Sequence, residues 1–168
     1  MKMRVMTVVA ACVWLGGCAA YVNIPPQAGD IAVHDPNRDN VRGAVTAALA
    51  YAVGGSDSAV YIQLPAASNA ETYNRMLPAV SPSAVWSPDP PEEGQAVFDV
   101  RQVRIRGWKA EVDIIQPEDM ADPGGLQQVV TYYLRQAPFG DWSVQRRRIW
   151  RVPVDEALVE SARLTDVQ

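Results

Sequence analysis

The sequence has few of the residues on which most metal sites and nucleophilic active sites depend. It contains two cysteines, Cys12 and Cys18, and one histidine, His34, among 168 residues. A zinc site or a serine–histidine pair needs a histidine or thiolate with partners that converge on it. His34 instead lies beside Asp35, in a segment interrupted by proline and glycine. We therefore predict no metal, no cofactor and no catalytic residue, and the sequence favours a non-enzymatic role.

Long apolar segments and an excess of positive charge are also missing. The apolar run from Val5 to Leu15 has about eleven residues, whereas a helix that crosses a hydrocarbon core of about 30 Å needs about 20. The formal net charge is −4 at pH 7, and binding to nucleic-acid phosphates depends on clustered lysine and arginine. We expect neither a transmembrane helix nor a nucleic-acid partner.

The first 18 residues have the order of a bacterial export signal. Lys2 and Arg4 precede the apolar run, and Leu15-Gly16-Gly17-Cys18 follows it. This pattern resembles the lipobox of bacterial lipoproteins, in which the cysteine sulfur receives a diacylglyceryl group and the chain is cut just before the cysteine. The resemblance implies a signal peptide over residues 1–17 and a mature protein that begins at a lipidated Cys18.

Such a modification implies a lasting membrane anchor. Each buried CH₂ of an acyl chain such as palmitate contributes about 0.8 kcal/mol, and two or more chains hold stably. Ala19 follows the cysteine, which by similarity to Gram-negative lipoproteins favours the outer membrane. Cys12 is removed with the signal peptide in this interpretation, so no disulfide is available. The expected partners are the membrane, through the N-terminal lipid, and another protein of the cell envelope.

The mature chain has a length that suits one domain with its own core. Residues 18–35 are predicted to form a lipidated tether, because Pro25-Pro26 and Gly29-Asp30 interrupt regular structure. Residues 36–168 are predicted to form a single domain, which begins with a helix capped at Asp35.

Helical and strand periodicities follow one another along that domain. Helices are predicted from Pro36 to Gly54 and from Ser68 to Pro78, with a short terminal helix over Val154–Arg163; strands are predicted over Ala59–Leu64, Val97–Arg106, Trp108–Ile115, Leu126–Gln136 and Trp142–Val152. The apolar alternation changes phase in the second strand, which predicts a β-bulge near Arg101-Gln102. The predicted fold class is α+β, with N-terminal helices packed on a curved antiparallel sheet of about four to five strands.

Three segments resemble the NTF2-like and cystatin-like group of α+β folds. They are Ala110-Glu111-Val112-Asp113, Val130-Thr131-Tyr132-Tyr133-Leu134 and Gly140-Asp141-Trp142-Ser143-Val144. Some domains of this group hold a ligand in the concave face of the sheet, and some are enzymes. The resemblance therefore implies an architecture and a place for a ligand, but fold alone does not select an activity.

The strongest candidate site is the arginine cluster on the last predicted strand. Residues of one parity there are Trp142, Val144, Arg146, Arg148 and Trp150. Apolar residues stand at both ends of this set, so it is predicted to face the core. Arg146, Arg148 and Trp150 would then line a polar patch that binds a carboxylate or phosphate, because guanidinium groups suit such ligands. The alternative is that the arginines face solvent and their stems cover a tryptophan.

The acidic candidates have weaker support. Glu111 and Asp113 share one side of a strand, opposite Trp108 and Val112, and are predicted to face water. No sequence motif supports Asp99 as a lone catalytic base in a cup-shaped site.

The leading hypothesis is an envelope-anchored lipoprotein that acts as a non-enzymatic accessory or protein-interaction module. The alternative is an NTF2-like lipoprotein that binds a small molecule or anion, and an enzyme comes third.

Overall fold

The computed structural model describes residues 21–54, 58–86, 91 and 94–150. This part of the chain forms β1 (Tyr21–Ile24), α1 (Asp39–Val53), β2 (Val60–Gln63), α2 (Ala70–Val80), β3 (Ala84–Val85), β4 (Ala96–Arg106), β5 (Lys109–Pro117), β6 (Gln127–Gln136) and β7 (Trp142–Trp150). The α+β class is confirmed, and the sheet has more strands than the four to five predicted. Cys18 and the predicted terminal helix lie outside the described residues.

The sheet has seven strands in the order β3-β2-β4-β5-β6-β7, and β1 also pairs with β4. β2 pairs parallel with β3 and β4, and the other pairs are antiparallel. β2 pairs with residues 96–99 and β1 with residues 103–106. Between these stretches the register with β5 shifts from Val100 to Gln102. The predicted β-bulge is therefore confirmed.

β1 corrects the prediction that the whole segment before residue 36 is a tether. Val22, Asn23 and Ile24 are buried, and the strand is antiparallel to the end of β4. The loop that follows returns to the strand, since the Val33 amide donates to the Tyr21 carbonyl oxygen at 2.9 Å. In the described part of the chain, the sheet therefore begins at residue 21.

The helices begin later than the sequence pattern predicts. The Asp35 carboxylate accepts a hydrogen bond from the Asn37 amide at 2.9 Å, which closes a short turn instead of capping α1. α1 then begins at Asp39 and ends at Gly54, whose left-handed backbone (φ 62°) confirms the predicted stop. In α2 the cap is Asn69, which accepts from the Thr72 amide, and not Ser68.

The core lies between α1 and one face of the sheet. α1 contacts β4, β5, β6 and β7, and its buried residues are Val41, Ala44, Val45, Ala48, Leu49 and Val53. Gly43 permits a close approach to the last strand, because a Cβ there would lie 3.0 Å from Cδ1 of Trp142. Neither helix of the described chain is long and apolar enough to cross a membrane.

Trp108 is the clearest error in the predicted core. Its side chain is 57% exposed, because the residue lies in the β4–β5 turn with Gly107 and β5 begins at Lys109. Strand alternation does not fix the direction of a turn side chain, so the apolar pattern of β5 could not be extended to Trp108.

Candidate functional site

The two faces of the long strands have opposite chemistry. One face is apolar and packs in the core; its residues in β4, β5 and β6 are Phe98, Val100, Val103, Ile105, Ala110, Val112, Ile114, Val130, Tyr132 and Leu134, each at most 3% exposed. The intervening residues form what we call the open face. Their cross-strand rows are Asn23, Arg104, Glu111, Tyr133 and Arg146 in one, and Gln102, Asp113, Thr131 and Arg148 in the next.

A bulge in β7 reverses the predicted direction of the arginines. Val144 pairs with Leu134, but Arg146 pairs with Tyr133, so Gln145 is an extra residue. Since one inserted residue moves all later side chains to the other face, Arg146, Arg148 and Trp150 are on the open face. The prediction that they share the core-facing parity of Trp142 and Val144 is wrong. Arg147, which lies between the two arginines in sequence, has the core-facing position opposite Tyr132.

Arg146 and Arg148 each lie over an aromatic ring. The Arg146 guanidinium carbon is 4.2 Å from the Tyr133 ring centroid, and that of Arg148 is 3.8 Å from the Trp150 ring. Such cation–π contacts orient a guanidinium and leave its N–H edge able to donate. Among the described residues, neither arginine has a carboxylate within 4.0 Å. The structure thus places the three predicted binding residues on one surface, where both arginine guanidinium groups are oriented by aromatic rings and one of those rings is Trp150.

A chain of polar contacts fixes the position of Trp150. Its indole N–H donates to Thr131 Oγ1 at 2.9 Å, and that hydroxyl donates to Asp113 Oδ1 at 2.5 Å. Arg104 pairs with Asp113 and with Glu111, both at 3.1 Å. Asp113 therefore has two partners and is only partly exposed, which corrects the prediction of a freely solvated carboxylate. This network holds the indole ring beneath Arg148 by its N–H edge.

On the core-facing side, Arg147 lies near a buried tyrosine. The Tyr132 hydroxyl donates to Gln116 Oε1 at 2.6 Å, and its ring meets Tyr51 edge-on with centroids 5.9 Å apart. Burial raises the pKa of Tyr132, and the Arg147 guanidinium opposes this shift. Arg147 thus interacts with the packed layer, which distinguishes it from its two neighbours.

The remaining titratable candidates have structural partners. His34 Nδ1 is 2.7 Å from the Asn23 carbonyl oxygen, and the Asn23 amide lowers the pKa of Asp30 by a hydrogen bond to its carboxylate. Asp99 pairs with Arg101 at 2.8 Å. Within the described part of the chain, no group of three or more histidine, cysteine, aspartate or glutamate residues could hold a metal ion.

Comparison with protein-family models, curated proteins and solved structures found no match for this chain. The site is therefore interpreted from its own chemistry. Sequence reasoning missed Tyr133, Thr131 and Arg104 as parts of this surface. A signal was present for the bulge, since Val144 and Ile149 are both apolar but have opposite parity. A strand that keeps both on the core side needs one extra residue between them.

Proposed function

We propose that this chain is a lipid-anchored protein of the bacterial cell envelope that binds an acidic segment of a protein partner on its open face. The observation that supports this most directly is the pair Arg146 and Arg148, oriented on aromatic rings and without carboxylate partners in the described structure. Residues i and i+2 of a strand are about 7 Å apart. Two carboxylates at the same spacing on an extended segment could therefore each meet one guanidinium.

The anchor is supported by the residues that resemble a lipobox and by the position of β1. Lipidation at Cys18 would place the acyl chains three residues before Tyr21, the first residue of the sheet. A domain joined so closely to its lipid is displayed at a membrane surface, which suits an accessory or interaction module. By the sorting pattern of Ala19 we assign it to the outer membrane.

The finer architecture that we propose is an NTF2-like arrangement of helices on a curved sheet. After β1, the order helix, strand, helix, short strand and then long antiparallel strands supports it. Binding of a small molecule or anion between helices and sheet has less support, because Phe98 and Tyr132 are fully buried there. A small carboxylate or phosphate at Arg148 and Trp150 stays the second candidate, since these residues form a compact cationic and aromatic pair.

The anchor is tested by replacement of the thiol. Wild-type protein grown with a fatty-acid analogue should become labelled, and Cys18→Ser should not, because the lipid is attached through sulfur. Mass spectrometry of the mature N-terminus checks the site. Equal labelling of the two forms would contradict the anchor.

The binding surface is tested by photo-crosslinking in intact envelopes. Benzoylphenylalanine at Gln145 lies next to the arginines on the exposed strand. We expect a crosslinked partner that is lost in the double variant Arg146→Met, Arg148→Met and kept in the matched variant Arg147→Met. Circular dichroism controls for folding. An acidic peptide should compete for the partner, whereas competition by phosphate alone favours the anion-binding candidate. A crosslink that persists in the double variant and in Arg147→Met contradicts both the acidic-segment proposal and the anion-binding candidate.

A further inference from the structure

A row of three cations crosses the sheet at the end where β1 begins. Arg106 is opposite Lys109, and Lys109 is opposite Arg135. The row continues to Tyr21 on one side, over whose ring the Arg106 guanidinium lies at 5.1 Å. The side chains of Arg106, Lys109 and Arg135 therefore stand next to one another on three adjacent strands.

This row does not serve the stability of the sheet. Like charges directly opposite one another destabilise a strand pair, and Lys109 has one such neighbour on each side. Within the described structure, no carboxylate lies within 4.0 Å of Arg106, Lys109 or Arg135. By contrast, Arg104 in the adjacent row pairs with two acids. An unneutralised row of this kind is suited to an anion that comes from outside the domain.

Two aromatic side chains project from the same end. Trp108 is 57% exposed, and Phe139 is fully exposed in the β6–β7 turn. The two turns are adjacent, because the Gln136 amide donates to the Trp108 carbonyl oxygen at 2.9 Å. Phe139 also has a left-handed backbone (φ 59°), a conformation that glycine adopts readily and bulky residues rarely do. Exposed aromatic rings beside basic residues are typical of surfaces at a membrane interface.

The sequence places the proposed lipid near this end. Cys18 is three residues before Tyr21, and an extended chain spans at most about 3.6 Å per residue. The membrane surface can therefore be no more than about 11 Å along the chain from Tyr21. Since Tyr21 is opposite Arg106, the cationic row and the two turns are the part of the sheet closest to the anchor.

We propose that this end of the sheet docks on the bilayer surface, with anionic phospholipid headgroups against Arg106, Lys109 and Arg135 and with Trp108 and Phe139 in the interfacial layer. A cavity of about 750 Å³ that these three basic residues and Trp108 help to line offers space for a headgroup. The inference rests on the proposed lipidation of Cys18, which fixes the end that approaches the membrane. Docking would hold the domain in one orientation, with Arg146 in the next row of the open face.

The experiment uses the full mature protein, lipidated in cells and reconstituted into vesicles of phosphatidylcholine alone or of phosphatidylcholine mixed with phosphatidylglycerol. Lipids brominated in the upper acyl chain quench tryptophan fluorescence at short range. We expect quenching of wild-type protein in the anionic vesicles and loss of most of it in Trp108→Phe. Trp86→Phe is the matched control, because Trp86 stacks on Tyr73 of α2, away from this end.

The charge requirement is tested by a double replacement. A basic side chain near an anionic membrane contributes a factor of about five in binding. Lys109→Gln with Arg135→Gln should therefore reduce the equilibrium constant for docking about 25-fold and remove most of the difference between the two vesicle types. Arg38→Gln with Arg75→Gln, at the N-cap of α1 and in α2, is the control of equal charge and should retain wild-type quenching.

Flotation of the vesicles and mass of the N-terminus separate the two proposals. A protein that floats with its lipid, yet is quenched equally in wild type and Trp108→Phe, contradicts the docked orientation and leaves the anchor intact. Equal quenching in neutral and anionic vesicles contradicts the role of the cationic row. A mature chain without lipid, which stays at the bottom of the gradient, overturns the anchor and the docking together.

Discussion

The two faces of the sheet are made by alternate residues of the same strands, yet they differ in burial and in chemistry. On the core side, Val112 and Phe98 are fully buried under or beside α1. On the open side, Glu111 and Asp113 both pair with Arg104, and two further arginines lie on aromatic rings. Burial of apolar area is the main source of folding free energy, whereas ion pairs at a surface contribute little. Stability is thus expected from one face and recognition from the other.

The largest difference between the faces is expected from a charge placed on each. Val112→Asp puts an unpaired carboxylate at a fully buried position and should cost more than about 4 kcal/mol, enough to unfold a domain of ordinary stability. Glu111→Ala, one residue away on the open face, should cost less than about 1 kcal/mol. Urea unfolding checks both. Comparable losses at the two positions would contradict the assignment of faces.

A smaller effect is expected from the hydroxyl of Tyr132. Tyr132→Phe leaves the buried Gln116 without its donor and should cost about 1–3 kcal/mol. The pKa of this tyrosine is raised by burial, so the folded state holds its proton more tightly than the unfolded chain does. Stability should therefore fall as pH rises above about 10.

This alkaline loss should be shallower in Tyr132→Phe than in the wild type, and thermal unfolding at several pH values measures it. An identical slope in both proteins would show that Tyr132 does not titrate with unfolding. Tyr73, whose pKa burial also raises, accounts for part of the loss that remains.

On the open face, loss of Arg104 should reduce stability more than loss of an arginine without an acidic partner. Arg104→Met removes the ion pairs of Glu111 and Asp113 and should cost about 1 kcal/mol, a value reduced for solvent screening. Arg106→Met removes only a stacking contact with Tyr21 and should cost less. A double-mutant cycle with Asp113→Asn measures the coupling. Equal effects of the two arginines would show that the ion-pair network adds nothing.

The smallest change is expected to have the opposite sign. Lys109→Glu converts three adjacent cations into an alternating row with Arg106 and Arg135 and should raise stability by about 0.2–1 kcal/mol. The same variant should lose docking on anionic vesicles. Lower stability in Lys109→Glu would mean that the row is neutralised in the folded protein.

The core-facing residues of the long strands could be predicted because burial selects apolar side chains with the period of the strand. The same rule indicated the bulge of β4, where Phe98 and Val103 belong to opposite phases. It failed at β7 because Trp142 and Trp150 are apolar at both ends, so a regular strand also fitted the pattern. The bulge at Gln145 places these two tryptophans on different faces.

Other features depend on contacts that are distant in sequence. β1 was missed because Pro25-Pro26 dominates that segment and because its partners in β4 are about 80 residues away. The partners of Arg104 and Trp150 likewise come from neighbouring strands. A sequence pattern gives the types of residue on the open face, and only the register decides which cation meets an acid, a ring or neither.

The central claim is that the open face is occupied by a partner in the envelope, and its most direct test is thiol labelling. If Cys18 is acylated, a cysteine introduced at Gln145 or at Asn74, an exposed residue of α2, is the sole free thiol. A maleimide should label Gln145→Cys more slowly in intact envelopes than in purified protein, and Arg146→Met with Arg148→Met should restore the rate. Asn74→Cys should react equally in both. Equal rates at Gln145→Cys in envelopes and in solution would contradict the account.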